Sequence, residues 1–400
     1  MYLTRLSLTD FRAFARLDME VPRRILLLVG DNAQGKTSLL EAVYYLATFT
    51  SLHAQSDRQL IHFLAAQEAL AVGRITAEFQ RGGRGHRLEV RLILENSNGS
   101  ARLRREILVD GIKRTAQEAV GFFNAVIFLP QMTRVADGSP EDRRRYLNLL
   151  LSQAHPGYAQ ALSEYQQVLT QRNALLKQLG ERGGDNSQLD YWDGLLVERG
   201  ATLIYARNTA ISEIERLAAQ FHGRLTRQQE VLRIFYQPAY DPLEPPAGQY
   251  SLPLMTSADR SRFSREDLRR GFQEKLAAVR GEEIARGVTT VGPHRDEVRF
   301  VSNGVDLGSF GSRGQVRTLL LSLKLAEVAW LKEKTGEWPV LLLDEILAEL
   351  DMQRRADLLE ALGEGEQSLM TTTDLNLFDP AFIQNASVWR VRQGVVSSEG

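Results

Sequence analysis

The sequence of 400 residues contains no cysteine. This absence excludes a disulfide-stapled fold, a cysteine nucleophile and any metal or iron–sulfur site that cysteine would ligate. It is typical of a protein in a reducing cytosol. The sequence also lacks any run near the roughly 20 apolar residues of a membrane-spanning helix, and its first residues lack the apolar segment of a signal peptide. We therefore expect a cytoplasmic protein without a membrane partner.

An excess of charge of one sign is also missing, because 49 basic residues face 50 acidic ones and the formal net charge is −1. This balance disfavours a polycation that coats nucleic acid, but it leaves room for a local basic surface. Lysine is scarce, with seven among the basic residues, so nearly all of them are arginine. Guanidinium groups bind phosphate and carboxylate in a bidentate way, although the same bias can reflect genome composition.

The length predicts two or three domains at roughly 100–200 residues each, and the pattern along the chain suggests how they are arranged. Strand-like patterns dominate residues 1–138, helical spacing dominates residues 139–280, and strands and helices alternate over residues 281–400. We predict an α/β protein in which the outer segments form one discontinuous head and residues 139–280 form an inserted, mainly helical lobe. The clearest predicted elements are strands Arg24–Val29, Pro339–Leu343, Ser368–Met370 and Ser387–Arg392, and helices Tyr158–Leu179, Leu189–Phe221 and Thr318–Lys334.

A glycine-rich loop lies between the buried run Ile25–Val29 and the helical pattern Ser38–Ala47. It reads Gly30-Asp31-Asn32-Ala33-Gln34-Gly35-Lys36-Thr37, which fits the G-x-x-x-x-G-K-[ST] pattern, and Ser38 directly after it is a further predicted nucleotide contact. Such a loop closes its backbone N–H groups around phosphate oxygens, and the following helix N-terminus favours negative charge. We predict that this loop binds ATP, that Lys36 reaches the β- and γ-phosphates, and that Thr37 holds Mg²⁺. The alternative, a glycine turn with a chance lysine, is disfavoured by the strand–loop–helix context.

An apolar strand that ends in two acids, Val340–Glu345, is the predicted partner of this loop. Asp344 would bind Mg²⁺, directly or through water, and Glu345 would polarise the attacking water as a general base. Strands often end in acids, so the pattern is weak alone and becomes strong beside the phosphate loop. More than 300 residues separate the two motifs, which requires an insertion between them.

A second motif with an exposed helix start, Phe310–Arg317, precedes the acidic strand. Gly311 and Gly314 free the backbone there, and Ser312 with the helix N-terminus offers donors to an anion. The segment resembles the signature motif of ABC ATPases, in which the signature of one subunit caps the nucleotide on the phosphate loop of another. The resemblance implies that Ser312, Gly314 and Gln315 contact the nucleotide of a second copy, and that Asp351 belongs to a D-loop. The alternative for residues 312–315 is an ordinary helix-entry turn.

With these motifs in this order, the sequence resembles the RecF family of bacterial recombinational-repair ATPases, which are related to SMC heads. The resemblance covers nearly the whole chain and implies an ABC-type P-loop ATPase head with an inserted helical lobe. Its further anchors are Leu8–Arg12, Gly138–Pro140, Arg143–Leu147, Gln171–Asn173, Trp192-Asp193, Gly292–Asp296, Leu323–Glu327 and Leu341–Asp351.

The sequence departs from the family pattern at two loops. The usual acidic Pro-Glu-Asp-Leu run is replaced by Pro130–Thr133, where Gln131 is the candidate Q-loop glutamine that senses Mg²⁺. Thr373, within the run Thr371–Asp374, stands where most ABC ATPases carry a switch histidine. This second departure is itself typical of RecF and implies slow hydrolysis.

Several basic residues have two possible roles. In related heads a residue at the position of Arg12 reaches nucleotide phosphate, but a solvated edge-strand arginine is equally consistent. Residues 81–114 carry nine basic and four acidic side chains, which suits either a DNA-facing hairpin without sequence readout or a solvated surface. Arg143–Arg145 could neutralise phosphate or pair with neighbouring acids. His294 and Arg295 could be nucleotide ligands or hydrogen-bonding residues of the core.

The resemblance implies an ATPase of weak, DNA-stimulated activity, in which Lys36 and Glu345 carry the catalysis. ATP and Mg²⁺ would close a homodimer around DNA at single-strand/double-strand junctions or gaps, and hydrolysis would release it. The family also implies work with RecR and RecO in recombinase loading, replication restart and the SOS response. The alternatives are an ATP-gated protein scaffold with negligible turnover and no direct grip on DNA, and an ABC transporter ATPase.

Overall fold

The computed structural model describes residues 1–97, 100–130, 132–243, 258–363 and 365–398, and the chain divides into two compact units. The first unit contains Met1–Met132 and Glu327–Gly400, and the second contains Thr133–Ala326. The strands are β1 (Tyr2–Phe11), β2 (Phe14–Glu20), β3 (Arg24–Val29), β4 (Leu70–Arg81), β5 (Arg84–Ser97), β6 (Ser100–Val109), β7 (Ile112–Arg114), β8 (Ala125–Phe128), β9 (Leu232–Gln237), β10 (Glu297–Ser302), β11 (Val305–Asp306), β12 (Val340–Asp344), β13 (Gln367–Thr372), β14 (Ser387–Arg392) and β15 (Val395–Ser398). The α-helices are α1 (Lys36–Thr48), α2 (Ala116–Ala119), α3 (Arg134–Asp137), α4 (Pro140–Ala154), α5 (Tyr158–Arg182), α6 (Leu189–Leu225), α7 (Arg265–Arg286), α8 (Leu307–Phe310), α9 (Arg313–Thr335), α10 (Met352–Gly363) and α11 (Pro380–Gln384).

The sheet that carries the phosphate loop has the strand order β15-β14-β3-β13-β12-β8. Its strands are parallel except for β15, which pairs antiparallel with β14. Leu26–Leu28 and Leu341–Leu343 are buried throughout, as expected for parallel strands covered on both faces. Because β3 and β12 run in the same direction with only β13 between them, the loop after β3 and the acids after β12 meet at one edge of the sheet.

A second, antiparallel sheet with the order β2-β1-β4-β5-β6-β7 covers the other side of α1. Its core face carries apolar side chains at alternate positions, among them Leu88, Val90 and Leu92, all of which are fully buried. α1 contacts strands of both sheets and is buried over most of its length. The hydrophobic core of the first unit therefore surrounds the helix that begins at Lys36, which fixes the position of the phosphate loop.

The second unit packs α5, α6 and α7 together and adds a small antiparallel sheet of order β11-β10-β9. The sequence pattern predicts helix starts at Ser139 and Ser264, and both residues form capping boxes, with Asp142 and Asp267 respectively. The pattern does not predict β9, which lies where helical spacing was expected to end.

The boundaries of the second unit differ from those predicted for the inserted lobe, which were residues 139 and 280. The unit begins at Thr133 and extends to Ala326. The later end follows from pairing: β10 hydrogen-bonds to β9, and Arg172 of α5 donates to Thr289 at 2.7 Å. These contacts join residues beyond 280 to the helices before them.

No helix in the described part of the chain combines the length and apolar character needed to cross a membrane.

Candidate nucleotide site

The glycines of the phosphate loop allow its backbone conformation, and the hairpin formed by β14 and β15 packs against the loop. Gly35 adopts φ +108°, in the left-handed region that favours glycine. A Cβ atom on Gly30 would lie 2.3 Å from the carbonyl oxygen of Val391 on β14. The turn between β14 and β15 also binds Gln34, because the Gln393 N–H donates to its Oε1 at 2.6 Å. The sequence predicts Gln34 as a nucleotide contact, and here its side chain ties the loop to the hairpin.

Lys36 and Thr37 begin α1 and contact the acids that the sequence predicts as their partners. The Lys36 ammonium donates to the Gly30 and Asp31 carbonyls at 2.6 and 2.8 Å and pairs with Glu345 at 3.0 Å. The Thr37 hydroxyl lies 2.9 and 3.0 Å from the two carboxylate oxygens of Asp344. Residues more than 300 positions apart are thus in direct contact.

The loop and the acids line one pocket of about 360 Å³, which lies entirely within the first unit. Its lining residues are Ala13, Asn32, Ala33, Gly35, Lys36, Thr37, Ser38, Pro130, Asp344 and Glu345. The donor set fits Mg²⁺, because this cation takes oxygen ligands and in nucleotide sites is held by one or two carboxylates together with substrate phosphates. Gln131, the predicted Q-loop residue, lies outside the described residues.

A third side chain, Thr371 of β13, contacts the acidic pair. Its hydroxyl donates to Asp344 Oδ1 at 2.7 Å and accepts from the backbone N–H of Glu345 at 3.0 Å. Glu345 adopts φ 50°, a left-handed conformation that costs a non-glycine residue roughly 1–2 kcal/mol. In the sequence this threonine is visible only as part of the run that lacks a switch histidine, because its contact with Asp344 depends on how β12 and β13 are aligned.

Arg12, a candidate phosphate contact, pairs with a carboxylate of α1. Its guanidinium donates to both oxygens of Glu41 at 2.8 and 2.9 Å and to the Gln59 carbonyl at 3.1 Å. Burial alone would raise the pKa of Glu41, but hydrogen bonds from Arg12 and Ser51 outweigh it and lower the pKa below its ordinary value. Arg12 does not line the pocket, although its neighbour Ala13 does.

The signature motif belongs to the second unit, where it forms the first turn of α9. We expected the helix to begin at Thr318, but it begins at Arg313. The reason is a reciprocal capping pair: Ser312 N–H donates to Gln315 Oε1 at 3.1 Å, and Gln315 N–H donates to Ser312 Oγ at 3.2 Å. Gly314 is exposed, and a Cβ atom there would meet only Ser312 Oγ, at 4.0 Å. The motif is therefore an open helix N-terminus.

Asp351, the predicted D-loop residue, caps α10. It accepts from the Arg354 N–H at 2.9 Å and pairs with the Arg354 guanidinium at 2.5 Å. Its side chain remains exposed, so a further contact is sterically open.

The residues around His294 hold the second unit together. His294 Nδ1 lies 2.8 Å from the Tyr165 hydroxyl, and burial lowers the pKa of His294 to about 4. Asp296 is buried and accepts from Arg207 at 2.6 Å and from Tyr236 at 2.5 Å. Of the two alternatives for His294, the geometry favours the hydrogen-bonding core residue. Arg143 likewise pairs with Glu297 at 2.6 Å, which favours its structural role.

Most basic side chains of the 81–114 hairpins are already engaged. Arg81 donates to two backbone carbonyls and Arg105 to Tyr45 and Phe49. The carboxylates Glu89 and Glu106 pair with most of the others: Arg87, Arg91, Arg104 and Lys113. Within the described part of the chain, Arg84, Arg102 and Arg114 are exposed and lack an ion-pair partner. Fewer basic side chains are available to a ligand than the nine basic residues in this part of the sequence suggest.

Comparison with known proteins agrees with this geometry. A model of the family described as "RecF/RecN/SMC N terminal domain" matches residues 2–397. The proteins named DNA replication and repair protein RecF from Exiguobacterium sp. and Chloroflexus aurantiacus are 35% and 38% identical, over 100% and 99% of both chains. A solved structure described as the recombination mediator protein RecF-ATP in the RecFOR pathway is similar with a TM-score of 0.82 and 28% identity, covering 100% of this chain and 98% of that one.

The fold is therefore that of an ABC-type P-loop ATPase head with an inserted helical lobe. Within this class the chain belongs to the RecF family of DNA replication and repair proteins. The resemblance drawn from the sequence is confirmed over the full length. It also disfavours the ABC transporter alternative.

Proposed function

We propose that this chain is an ATP-dependent DNA-binding protein of recombinational repair, in which ATP drives dimerisation and slow hydrolysis reverses it. The observation that carries the proposal is the contact between Thr37 and Asp344 in the pocket that also holds Lys36 and Glu345. This is the arrangement that nucleotide binding and hydrolysis require, and it is assembled from both ends of the chain. The solved relative described as RecF-ATP supports the choice of nucleotide.

Each residue of the pocket has a chemical task. The N–H groups of residues 30–38 and the Lys36 ammonium bind the phosphates. Thr37 and Asp344 would hold Mg²⁺, which neutralises charge on the phosphate oxygens when bound. Glu345 orients and polarises the attacking water as general base. Thr373, exposed directly after β13, offers a hydroxyl where most ABC ATPases offer an imidazole, which suits slow turnover.

Closure of the dimer would use the exposed motifs of each copy. Ser312, Gly314 and Gln315 present an open helix N-terminus to the nucleotide of the partner copy, and Asp351 lies on an exposed turn. A helix N-terminus favours an anion such as the γ-phosphate. Arg12 can still contribute through Glu41 by fixing the start of α1.

DNA would contact the free basic side chains of the first unit, and the partners would be those of the family. Arg84, Arg102 and Arg114 are available for phosphate contacts without sequence readout. The relatives' RecFOR pathway supports work with RecR and RecO at single-strand/double-strand junctions or gaps.

Light scattering of the Glu345→Gln protein, with and without ATP and Mg²⁺, tests the proposal. Removing the general base should trap the ATP-bound dimer, so the mass should double when nucleotide is added. Ser312→Arg in the same background is the control, because a bulky cation at the signature should block closure while nucleotide still binds. A monomer at every concentration with ATP bound would refute ATP-driven dimerisation.

One observation favours the second candidate, an ATP-gated scaffold without a direct grip on DNA. Most of the hairpin arginines are held in ion pairs or by backbone carbonyls. On this alternative, Glu345→Gln would be mild in function, and charge reversal at Arg102 would leave partner binding intact. DNA binding by the trapped dimer, measured by fluorescence anisotropy, separates the two candidates.

A further inference from the structure

Thr371 occupies an unusual place between the two acids of the nucleotide site. In the parallel pairing of β12 with β13, Thr371 is the register partner of Asp344. Aligned residues of neighbouring strands place their side chains on the same face of a sheet. The alignment of β12 with β13 therefore places the threonine hydroxyl beside the carboxylate of Asp344, and its position does not depend on a loop.

The hydroxyl makes two close hydrogen bonds that fix its orientation, and a third, longer contact reaches the Leu343 carbonyl at 3.5 Å. It accepts from the Glu345 N–H at 3.0 Å, so its proton points elsewhere, and it donates that proton to Asp344 Oδ1 at 2.7 Å. Thr371 is 4% exposed, so water does not readily replace either contact. Thr37 approaches the same carboxylate from α1 at 2.9 Å. Asp344 is thus held by hydroxyls from two elements, and its orientation is determined before any ligand arrives.

We propose that Thr371 is a positioning residue that sets the affinity of the nucleotide site for its divalent cation by fixing the carboxylate of Asp344. This inference rests on the proposed function, because the cation is the one that accompanies ATP. A carboxylate held in one orientation loses less freedom when it ligates a metal. Hydrogen-bonded partners of metal ligands typically change metal affinity about 10–100-fold when they are replaced.

The test compares Thr371→Val, which keeps the shape and removes the hydroxyl, with Thr371→Ser, which keeps the hydroxyl. The affinity of a fluorescent ATP analogue is measured by anisotropy while Mg²⁺ is titrated. We expect the half-saturating Mg²⁺ concentration to rise about 10–100-fold in Thr371→Val and to stay near the wild-type value in Thr371→Ser. Affinity for the analogue in EDTA should not change in either variant.

Thr372→Val is the matched control. Thr372 lies on the same strand and is 3% exposed, but its hydroxyl contacts the backbone of Asp374 at 2.9 Å and not Asp344. It should lower thermal stability without changing the Mg²⁺ dependence. Thr371→Ala serves as a second variant if the valine disturbs the strand, and Mn²⁺ binding followed by electron paramagnetic resonance gives a readout independent of the fluorophore.

A double-mutant cycle with Asp344→Asn establishes the route of the effect. If Thr371 acts through that carboxylate, Thr371→Val should add little once Asp344 is changed. Folded Thr371→Val protein with the wild-type Mg²⁺ requirement would overturn the inference. Wild-type protein that binds the analogue equally with and without Mg²⁺ would overturn the proposed cation site, and the inference with it.

Discussion

At the scale of single residues, the sequence indicates which side chains carry the chemistry but not which are already engaged. Lys36, Thr37 and Asp344 follow from motif spacing because each motif has a defined chemical task. The engagement of Arg12 by Glu41 and of Asp344 by Thr371 depends on tertiary packing and strand register. Neither leaves a local pattern in the chain. Charge counting along residues 81–114 fails for the same reason, since it ignores pairing across strands.

His294 gives a prediction about pH at this scale. Burial lowers its folded-state pKa from 6.5 to about 4, so the folded protein keeps the imidazole neutral while the unfolded chain takes up a proton near pH 6.5. The stabilisation is complete above pH 6.5 and is lost as the pH falls from there towards 4. We expect this site to reduce the free energy of unfolding by about 2 kcal/mol between pH 7 and pH 5.

Urea unfolding of wild type and His294→Gln at both pH values measures this contribution. The variant should be less stable than wild type at pH 7, because the contact with Tyr165 is altered, but its stability should change less with pH. Equal pH dependence of the two proteins would show that His294 is not kept neutral by the fold.

At the scale of elements, predictions succeed where the determinants are local. Strands Arg24–Val29 and Ser387–Arg392 match β3 and β14 residue for residue, and Ser139 and Ser264 cap helices as their neighbours predict. The start of α9 is misjudged by five residues, because the glycines around Ser312 suggest a loop while the Ser312–Gln315 capping pair begins a helix. β9 is missed since its identity as a strand depends on β10, which follows some 60 residues later.

Gly30 gives a prediction about the contact between the phosphate loop and β14. A methyl group at this position would lie 2.3 Å from the Val391 carbonyl oxygen, so Gly30→Ala must displace either the loop or the strand. Overpacking of this kind costs about 1–3 kcal/mol. We expect roughly 10- to 100-fold weaker binding of the ATP analogue, measured by anisotropy, with an unchanged circular dichroism spectrum.

Gly363→Ala is the matched control, because a Cβ atom there meets no heavy atom within 4 Å. It should bind the analogue as wild type does. If Gly30→Ala also binds normally, the close approach of β14 does not constrain the loop.

At the scale of the whole molecule, the arrangement of charge decides where a chain of net charge −1 could make the DNA contacts proposed for it. Some of its basic residues are held in ion pairs with neighbouring acids, and others remain exposed. In the second unit, Arg172 and Arg207 are buried in ion pairs with Asp193 and Asp296. In the first unit, Glu89 and Glu106 neutralise much of the hairpin charge, and Arg84, Arg102 and Arg114 stay exposed and unpaired within the described residues. Net charge alone predicts neither arrangement.

The salt dependence of DNA binding tests which of these arginines touch phosphate. A substitution that removes one phosphate contact should reduce the slope of log K against log salt by about 1. With the Glu345→Gln protein, ATP and a gapped duplex, we expect Arg102→Ala to lower the affinity and to reduce the slope by that amount. Arg104→Ala is the matched control: this neighbouring arginine is already paired with Glu106 at 3.0 Å, so the slope should stay at its starting value. If both substitutions leave the affinity and the slope unchanged, Arg102 does not contact phosphate and the DNA contacts lie elsewhere on the protein. If the trapped dimer forms but does not bind the gapped duplex, the ATP-gated scaffold becomes the better account of the chain.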